Sequence, residues 1–414
     1  MFATWLIVPV TIGGLYMAWN IGANDVANAM GTSVGAKSLT LRQAVVVAAV
    51  FELAGAVLVG AHVTKTVRKG IVDPMIFEAI PAEFALGMAA ALFAAAIWLN
   101  VASYLGWPVS TTHSIVGAVI GFGLVAGGVD AIKWAKVGAI VASWATSPVC
   151  GGLIAFVTFM LIRKLILTSD TPSQAAYRHT KWMAFLVFFV LGLATLYKGL
   201  KNLKLDFSFG EAVLLSSGVG IIGAFAFAAV ARRLLPKDDG TIRERLISVE
   251  KIFAILQICT ACTVAFAHGS NDVANAVGPL AAFLQVARTG LIESNSVVPL
   301  WVLLTGGVGI AVGVATWGYR VIETVGKHIT ELTPSRGFAA EFAAACTILL
   351  GSRLGMPIST THTLVGSVIG VALARGMSAL NFTIVKQIVM SWVLTLPFTG
   401  VLAALFFIIL RAVA

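Results

Sequence analysis

Hydrophobic positions along this chain fall into long, nearly unbroken runs separated by short polar connections. A helix needs about 20 predominantly apolar residues to cross a bilayer. Twelve runs approach that length, near 2–20, 43–63, 83–104, 110–128, 134–162, 182–199, 210–231, 250–268, 298–320, 338–352, 359–376 and 384–412. They predict an all-α polytopic membrane protein with about twelve transmembrane segments. The one clearly polar connection, RRLLPKDDGTIRER from Arg232 to Arg245, is short and charged and reads as a loop. The first run lacks the basic segment that precedes a cleavable signal peptide, so it is expected to remain as a helix.

Composition supports the same class. Hydrophobic residues make up 59% of the 414 positions and charged residues 11%. Soluble domains carry about a quarter charged residues, so this chain must turn most of its surface to lipid. A net charge of +10 raises nucleic acid as a partner. The basic residues, however, are scattered over the connections and form no face with interleaved aromatics, which excludes that class. More of the 28 Lys and Arg residues lie in or beside odd-numbered connections than even-numbered ones. That excess puts the odd connections in the cytoplasm and both termini on the extracytoplasmic side of the cell membrane. Cys150 and Cys346 stand alone, and the Cys259–Cys262 pair sits in ILQICTACTVAF without other metal ligands. All four read as small residues at helix interfaces.

Two polar phrases interrupt the apolar pattern, and each occurs twice. GANDVANAMG at 22–31 matches GSNDVANAVG at 269–278 in eight of ten positions. GWPVSTTHSIVGAVIG from Gly106 matches GMPISTTHTLVGSVIG from Gly355 in eleven of sixteen, and SWATSP at 143–148 answers SWVLTLP at 391–397. The chain therefore divides into a first repeat at 1–166 and a second at 250–414, with two linking helices and the charged loop at 167–249. The repeats open at the first and eighth runs, an odd number of crossings apart. Equivalent segments then run in opposite directions, the inverted-repeat plan of secondary transporters with sites at the bilayer midplane.

Proline followed by Ser-Thr-Thr marks a helix start, because Pro tolerates the position just before a helix and a Ser or Thr hydroxyl caps free backbone N–H groups. Helices are thus expected to begin at Ser110 and Ser359. Uncharged flanks put these starts within the membrane, as broken or half helices at the midplane. Free N–H groups and the positive end of the helix dipole suit an anion there. The hydroxyls of Ser110, Thr111, Thr112, Ser359, Thr360 and Thr361 add neutral donors. Two capped helices without a ligand would look the same in one copy, but less so in two.

The second phrase supplies negative charge. An ionised Asp in a membrane span is expected to be functional and partnered. Asp25 and Asp272, with the amide oxygens of Asn24, Asn28, Asn271 and Asn275, form a hard, all-oxygen set suited to Na+. The neighbouring glycines are expected to let the chain unwind and free carbonyl oxygens as well. Two carboxylates and an oxyanion in one low-dielectric site repel, so cations must enter with the anion. A cation-coupled anion symporter follows, working by alternating access, with Na+ or H+ as the coupling ion and no other cofactor. A sulfate or other oxyanion symporter, an anion channel and a cation exchanger remain alternatives.

GANDVANAMGTSVGAKSLTLRQA with GSNDVANAVGP, and PVSTTH with PISTTH, resemble the duplicated signatures of the inorganic phosphate transporter (PiT) family over both halves. The resemblance implies symport of inorganic phosphate with Na+ or H+, and a homodimer. Its ion and phosphate residues map onto Asn24, Asp25, Asn28, Ser110, Thr111 and Thr112, and onto Asn271, Asp272, Asn275, Ser359, Thr360 and Thr361. Its functional glutamates map onto Glu52 and Glu341. The short central loop departs from animal relatives, which carry a long domain there.

Glu52 and Glu341, read from the residues alone, either bind ions or protons or make structural hydrogen bonds. Gln43 either faces the site or caps a helix. His113 and His362 follow Ser110 and Ser359 by three residues, on the same helix face. A Ser–His pair raises nucleophilic hydrolysis, but it occurs twice and has no acid to orient the histidine. The chain is read as a transporter and not an enzyme, with each His behind the site. His268 precedes the second Asp motif where the first half has Ile21, so the halves are not chemically equivalent. Lys65, Arg68 and Lys69 read as a solvated loop.

Overall fold

A computed structural model describes residues 4–107, 109–197, 207–234, 241–292, 298–319, 321–322 and 331–413. Pro108, the centre of the charged connection at 235–240, and the ends of the runs near 182–199 and 298–320 lie outside the described residues. The architecture is all-helical. Among the described residues the β-structure is an isolated bridge between Val72 and Ile132.

The α-helices that frame the molecule begin with α1 (Ile7–Gly35), α2 (Leu41–Val59), α3 (Ala61–Lys69), α4 (Pro81–Tyr104), α5 (Thr111–Gly127), α6 (Trp134–Ile162) and α7 (Pro172–Leu196). The series continues with α8 (Phe209–Arg232), α9 (Ile242–Thr289), α10 (Leu300–Trp317), α11 (Pro334–Arg353), α12 (Thr360–Arg375) and α13 (Phe382–Val413). Local chemistry sets many of the boundaries. Capping boxes open α2 at Thr40–Gln43, α8 at Ser208–Glu211 and α9 at Thr241–Glu244, each satisfying two otherwise free amide groups. Gly290, in the left-handed region at φ 69°, closes α9, where a side chain would be strained.

Among the described residues, eight helices are long and apolar enough to cross a membrane: α2, α4, α6, α7, α8, α9, α10 and α13. The four other apolar runs fall on α1, α5, α11 and α12. Helices α5 and α12 have 17 and 16 residues, short of the ~20 that a bilayer demands. Each packs against the helix before it, α5 on α4 and α12 on α11, and a short non-helical bend joins each pair. The expected loop at Lys65, Arg68 and Lys69 is instead the helix α3.

Helices α1 and α9 pass through the middle, with α10 packed on α1 and α2 on α9. Outside the two hairpins, α13 packs on α5 and α6 packs on α12. The long apolar helices α7 and α8 pair with each other, and α7 also lies against α9. Buried side chains are largely Ala, Val and Leu on α4, α9 and α11, while large apolar residues such as Leu214, Ile222, Phe225, Val401 and Ile409 are exposed. An interior of small residues with an apolar exterior is what lipid, as the surrounding medium, selects.

One expectation is corrected here. The Asn-Asp motifs do not unwind: α1 is continuous from 7 to 35 and α9 from 242 to 289, with Asp25 and Asp272 well inside them. The motif glycines serve close packing. A Cβ at Gly22 would collide with the Ile310 carbonyl, and one at Gly269 with the Glu52 carbonyl. Gly269→Val therefore forces α2 off α9. It is expected to cost about 1–3 kcal/mol in overpacking strain, read as a lower thermal-unfolding midpoint of the detergent-solubilised protein.

Candidate functional site

Four chain segments meet at the centre: the mid-helix motifs of α1 and α9, and the first turns of α5 and α12. Ser110 and Ser359 are the N-cap residues of α5 and α12. Their hydroxyls accept from the backbone N–H of His113 and His362, each at 3.2 Å. The first helical turn keeps N–H groups with no intrahelical partner, so these two starts offer donors toward the middle of the protein.

The carboxylates receive hydroxyls from those same turns. Thr111 Oγ1 donates to Asp25 Oδ2 at 2.7 Å, and Thr360 Oγ1 donates to Asp272 Oδ2 at 2.8 Å. The asparagines tie each motif to both hairpins, Asn28 and Asn275 to that of the other half and Asn24 and Asn271 to that of their own. Asn28 Nδ2 donates to Thr361 Oγ1 at 2.7 Å, and Asn275 Nδ2 donates to Thr111 and Thr112 Oγ1 at 3.3 and 3.4 Å. Asn24 Nδ2 donates to Ser103 Oγ and the Trp107 carbonyl, and Asn271 Nδ2 donates to Ser352 Oγ and the Met356 carbonyl. Nearly every contact in one half thus has a counterpart in the other.

With the amide nitrogens used this way, the amide oxygens are left over. Asn24, Asn271 and Asn275 each have a buried Oδ1 without a hydrogen-bond partner. A buried acceptor left bare costs about 1–3 kcal/mol, so a ligand that takes electron pairs is called for. Carboxylate and amide oxygens together make a set for a hard cation.

His268 breaks the pairing. Its Nε2 lies 2.9 Å from Asp272 and 3.6 Å from Asp25, and its Nδ1 lies 3.1 Å from Glu52. All four side chains are fully buried. Among the described residues, His268 is the one ion-pair partner of these three carboxylates. One ligand atom from each of Asp25, His268 and Asp272 can be chosen so that all three lie within 4.8 Å of one another. In the other half, Ile21 stands where His268 does, and Ile310 packs against Gly22 as Glu52 packs against Gly269. One flank of the centre is therefore polar and the other aliphatic.

The remaining candidates sort clearly. Glu341 is caged by donors: its Oε1 accepts from Thr32 and Ser33 at 2.6 Å each and from Gln257 at 3.0 Å, and its Oε2 accepts from Thr260 at 2.7 Å. Those hydrogen bonds join α11 to the end of α1 and to α9. Gln43 does not reach the centre; its Oε1 accepts from Thr40, in the exposed capping box of α2. The Thr112 hydroxyl donates to the Ile358 carbonyl at 3.1 Å, so it braces one hairpin against the other. Its backbone N–H remains at the first turn. His113 and His362 lie behind the two helix starts, face each other, and each bonds a tryptophan carbonyl.

Sequence reasoning missed Ser103 and Ser352, the cage residues Thr32, Ser33, Gln257 and Thr260, and the inward-turned Trp144 and Trp392. The serines could have been found, because they recur at the same spacing as the Ser-Thr-Thr phrase. Nothing in the sequence singles out the Glu341 cage, whose members come from three distant helices.

Known proteins share both the sequence and this arrangement of helices. A family model described as the phosphate transporter family matches residues 21–403. A relative from Haemophilus influenzae is 44% identical over 416 residues, covering 100% of this chain and 98% of the relative. Inorganic phosphate transporter 2-1, chloroplastic, of Arabidopsis thaliana is 45% identical over 418 residues, covering 95% of this chain and 70% of that protein. A solved structure described as the sodium-dependent phosphate transporter superposes with a TM-score of 0.93 at 41% identity, covering 99% of this chain and 100% of that one.

Glu341→Gln replaces one acceptor oxygen with a donor among four donors. The variant is expected to lose about 3 kcal/mol of stability, measured as the drop in its thermal-unfolding midpoint beside wild type. An unchanged midpoint would mean that the cage does not hold these helices together.

Proposed function

The chain belongs to the phosphate transporter family, whose members are transporters and not enzymes, and we propose that it is a Na+-coupled phosphate symporter. The observation that carries this reading is the pairing of each buried Asp with the Thr beside a helix start. Anion donors and cation acceptors then share a single centre.

In this reading Na+ binds through Asp25 and Asp272, with the bare oxygens of Asn24, Asn271 and Asn275. Asn28 completes the set by orienting Asp25, to which its amide donates at 3.2 Å. Phosphate docks on the first turns of α5 and α12, at Ser110, Thr111, Thr112, Ser359, Thr360 and Thr361, through backbone N–H groups and the hydroxyls of Ser110, Ser359 and Thr361, since those of Thr111, Thr112 and Thr360 donate elsewhere. Coupling follows from Coulomb's law: at an effective dielectric constant of 20, unit charges 4 Å apart interact by ~4 kcal/mol. Carboxylates without their cations repel the phosphate; carboxylates with them attract it. His268 and Glu52 add a protonatable pair on one flank, so a proton is the alternative coupling ion.

The halves at 1–166 and 250–414 are read as inverted repeats, and the paired hydrogen bonds on α1, α9, α5 and α12 support this. The chain would act as a homodimer in the cell membrane with both termini extracytoplasmic. The solved structure with a sodium-dependent description lends weight to Na+ over H+.

Phosphate uptake into proteoliposomes, with and without an inward Na+ gradient at fixed pH, tests the reading. Uptake is expected only with Na+, and Asp25→Asn or Asp272→Asn is expected to reduce it at least tenfold, equivalent to ~1.4 kcal/mol. Uptake driven by a pH gradient and indifferent to Na+ would move the coupling to protons. Uptake of sulfate in place of phosphate would overturn the substrate.

A further inference from the structure

Behind the two helix starts lies a feature that the proposed transport cycle does not use: a row of four contacting rings in the order Trp144, His113, His362, Trp392, the first three buried and the last half-buried. Ring centroids are 3.8 Å apart for Trp144 and His113, 4.5 Å for the two histidines, and 3.5 Å for His362 and Trp392. The hydrogen bonds cross this order. His113 Nδ1 contacts the Trp392 carbonyl at 3.3 Å, and His362 Nδ1 contacts the Trp144 carbonyl at 3.0 Å. Each histidine therefore stacks on the tryptophan of one long helix and bonds the backbone of the other.

The backbone explains why a carbonyl is on offer. Pro148 sits four residues after Trp144, inside α6, and has no N–H to complete the helical bond to the Trp144 oxygen. In α13 the proline is Pro397, five residues after Trp392, so the carbonyl it leaves without a helical donor is that of Val393. The weaker bond, from His113, is the one without a matched proline. A carbonyl only accepts, so both Nδ1 atoms carry the proton. Both Nε2 atoms are buried without a partner. Each imidazole is thus held by a single hydrogen bond and two ring contacts, the one between the histidines being edge-on, and neither side chain donates toward the ion centre.

We propose that His113, His362, Trp144 and Trp392 are positioning residues that fix the separation of the α5 and α12 starts and thereby select the size of the tetrahedral oxyanion. The proposal rests on the reading of those starts as the phosphate site. Ser110 and Ser359 lie one turn from the histidines, and Thr112 already bonds across to Ile358. Both helix starts are consequently locked to each other and to α6 and α13. A rigid gap of this kind discriminates by fit, whereas neutral donors on flexible supports would close around either of two similar anions.

Initial rates of uptake of phosphate and of the slightly larger arsenate, measured against concentration in proteoliposomes, test the proposal. Asparagine reproduces the Nδ1 donor of histidine and glutamine does not. His113→Gln and His362→Gln are expected to raise the phosphate KM about tenfold, the scale of one buried hydrogen bond lost. The arsenate KM should rise less and the maximal rates should stay near wild type, while the Asn variants keep wild-type selectivity. Gln and Asn variants that behave alike would overturn the proposal, as would loss of maximal rate for both anions at unchanged KM. Should the Gln variants misfold, Trp392→Phe against Trp392→Leu decides: selectivity kept by Phe and lost by Leu is expected, and equal behaviour overturns it. A wild-type protein that takes up neither anion overturns the reading of the site, and this proposal with it.

Discussion

Two aspartates, fully buried on helices at the centre of a membrane protein, set the terms for everything around them. Removing a carboxylate from water costs several kcal/mol even after relaxation, and Asp25 and Asp272 lie close enough to share His268. Compensation has to come from neighbouring side chains, on the same helix and on others. It comes as threonine hydroxyls from α5 and α12, as asparagine amides one turn away, and as one imidazole. Each helix that supplies such a partner is thereby fixed in place, so the electrostatic problem of two residues organises a bundle of many.

Cross-linking explains why the interior is built from small residues. For a threonine on a short hairpin helix to reach an aspartate in the middle of α1, backbones must approach closely. Glycines at the motif permit this, with Gly22 against Ile310 and Gly269 against Glu52. The outer helices α6 and α13 complete the arrangement: Pro148 frees the Trp144 carbonyl that His362 bonds, and His113 bonds the Trp392 carbonyl of α13. Helix irregularity is used here to make hydrogen bonds between helices and not to expose backbone to ions.

The paired contacts also make the exception conspicuous. His268 and Glu52 occupy positions whose counterparts are Ile21 and Ile310. Duplicated backbones carry different chemistry on their two flanks, and only one flank can exchange charge with the carboxylates. An imidazole between acids has a second consequence: the balance of negative charge at the centre depends on His268 as well as on any bound cation. Glu341 follows another rule, since four hydroxyl and amide donors surround it, three on Oε1 and one on Oε2.

Much of the protein was legible in its sequence. Long apolar runs specified a helical membrane protein, because a run of ~20 apolar residues fits a spanning helix, which satisfies its own backbone in lipid, and is too long for a barrel strand. Repetition made Asp25 with Asp272, and Ser110 with Ser359, candidates for one site, and the Pro-Ser-Thr-Thr phrase located two helix starts to the residue. Capping chemistry is local, so it can be read locally. The mid-helix position of the Asp motifs was not legible, because glycine permits unwinding and close packing alike, and only a neighbour such as Ile310 decides between them. Nor was the Glu341 cage, or the crossed bonding of His113 and His362 to Trp392 and Trp144. Those contacts join residues from 81 to 309 positions apart, and chain spacing carries no record of which distant helices pack together. The sequence by itself determined the class of protein, the helix starts and the chemistry available to a site; the tertiary structure decided which groups meet, because in a packed interior proximity is set by helix contacts and not by order along the chain.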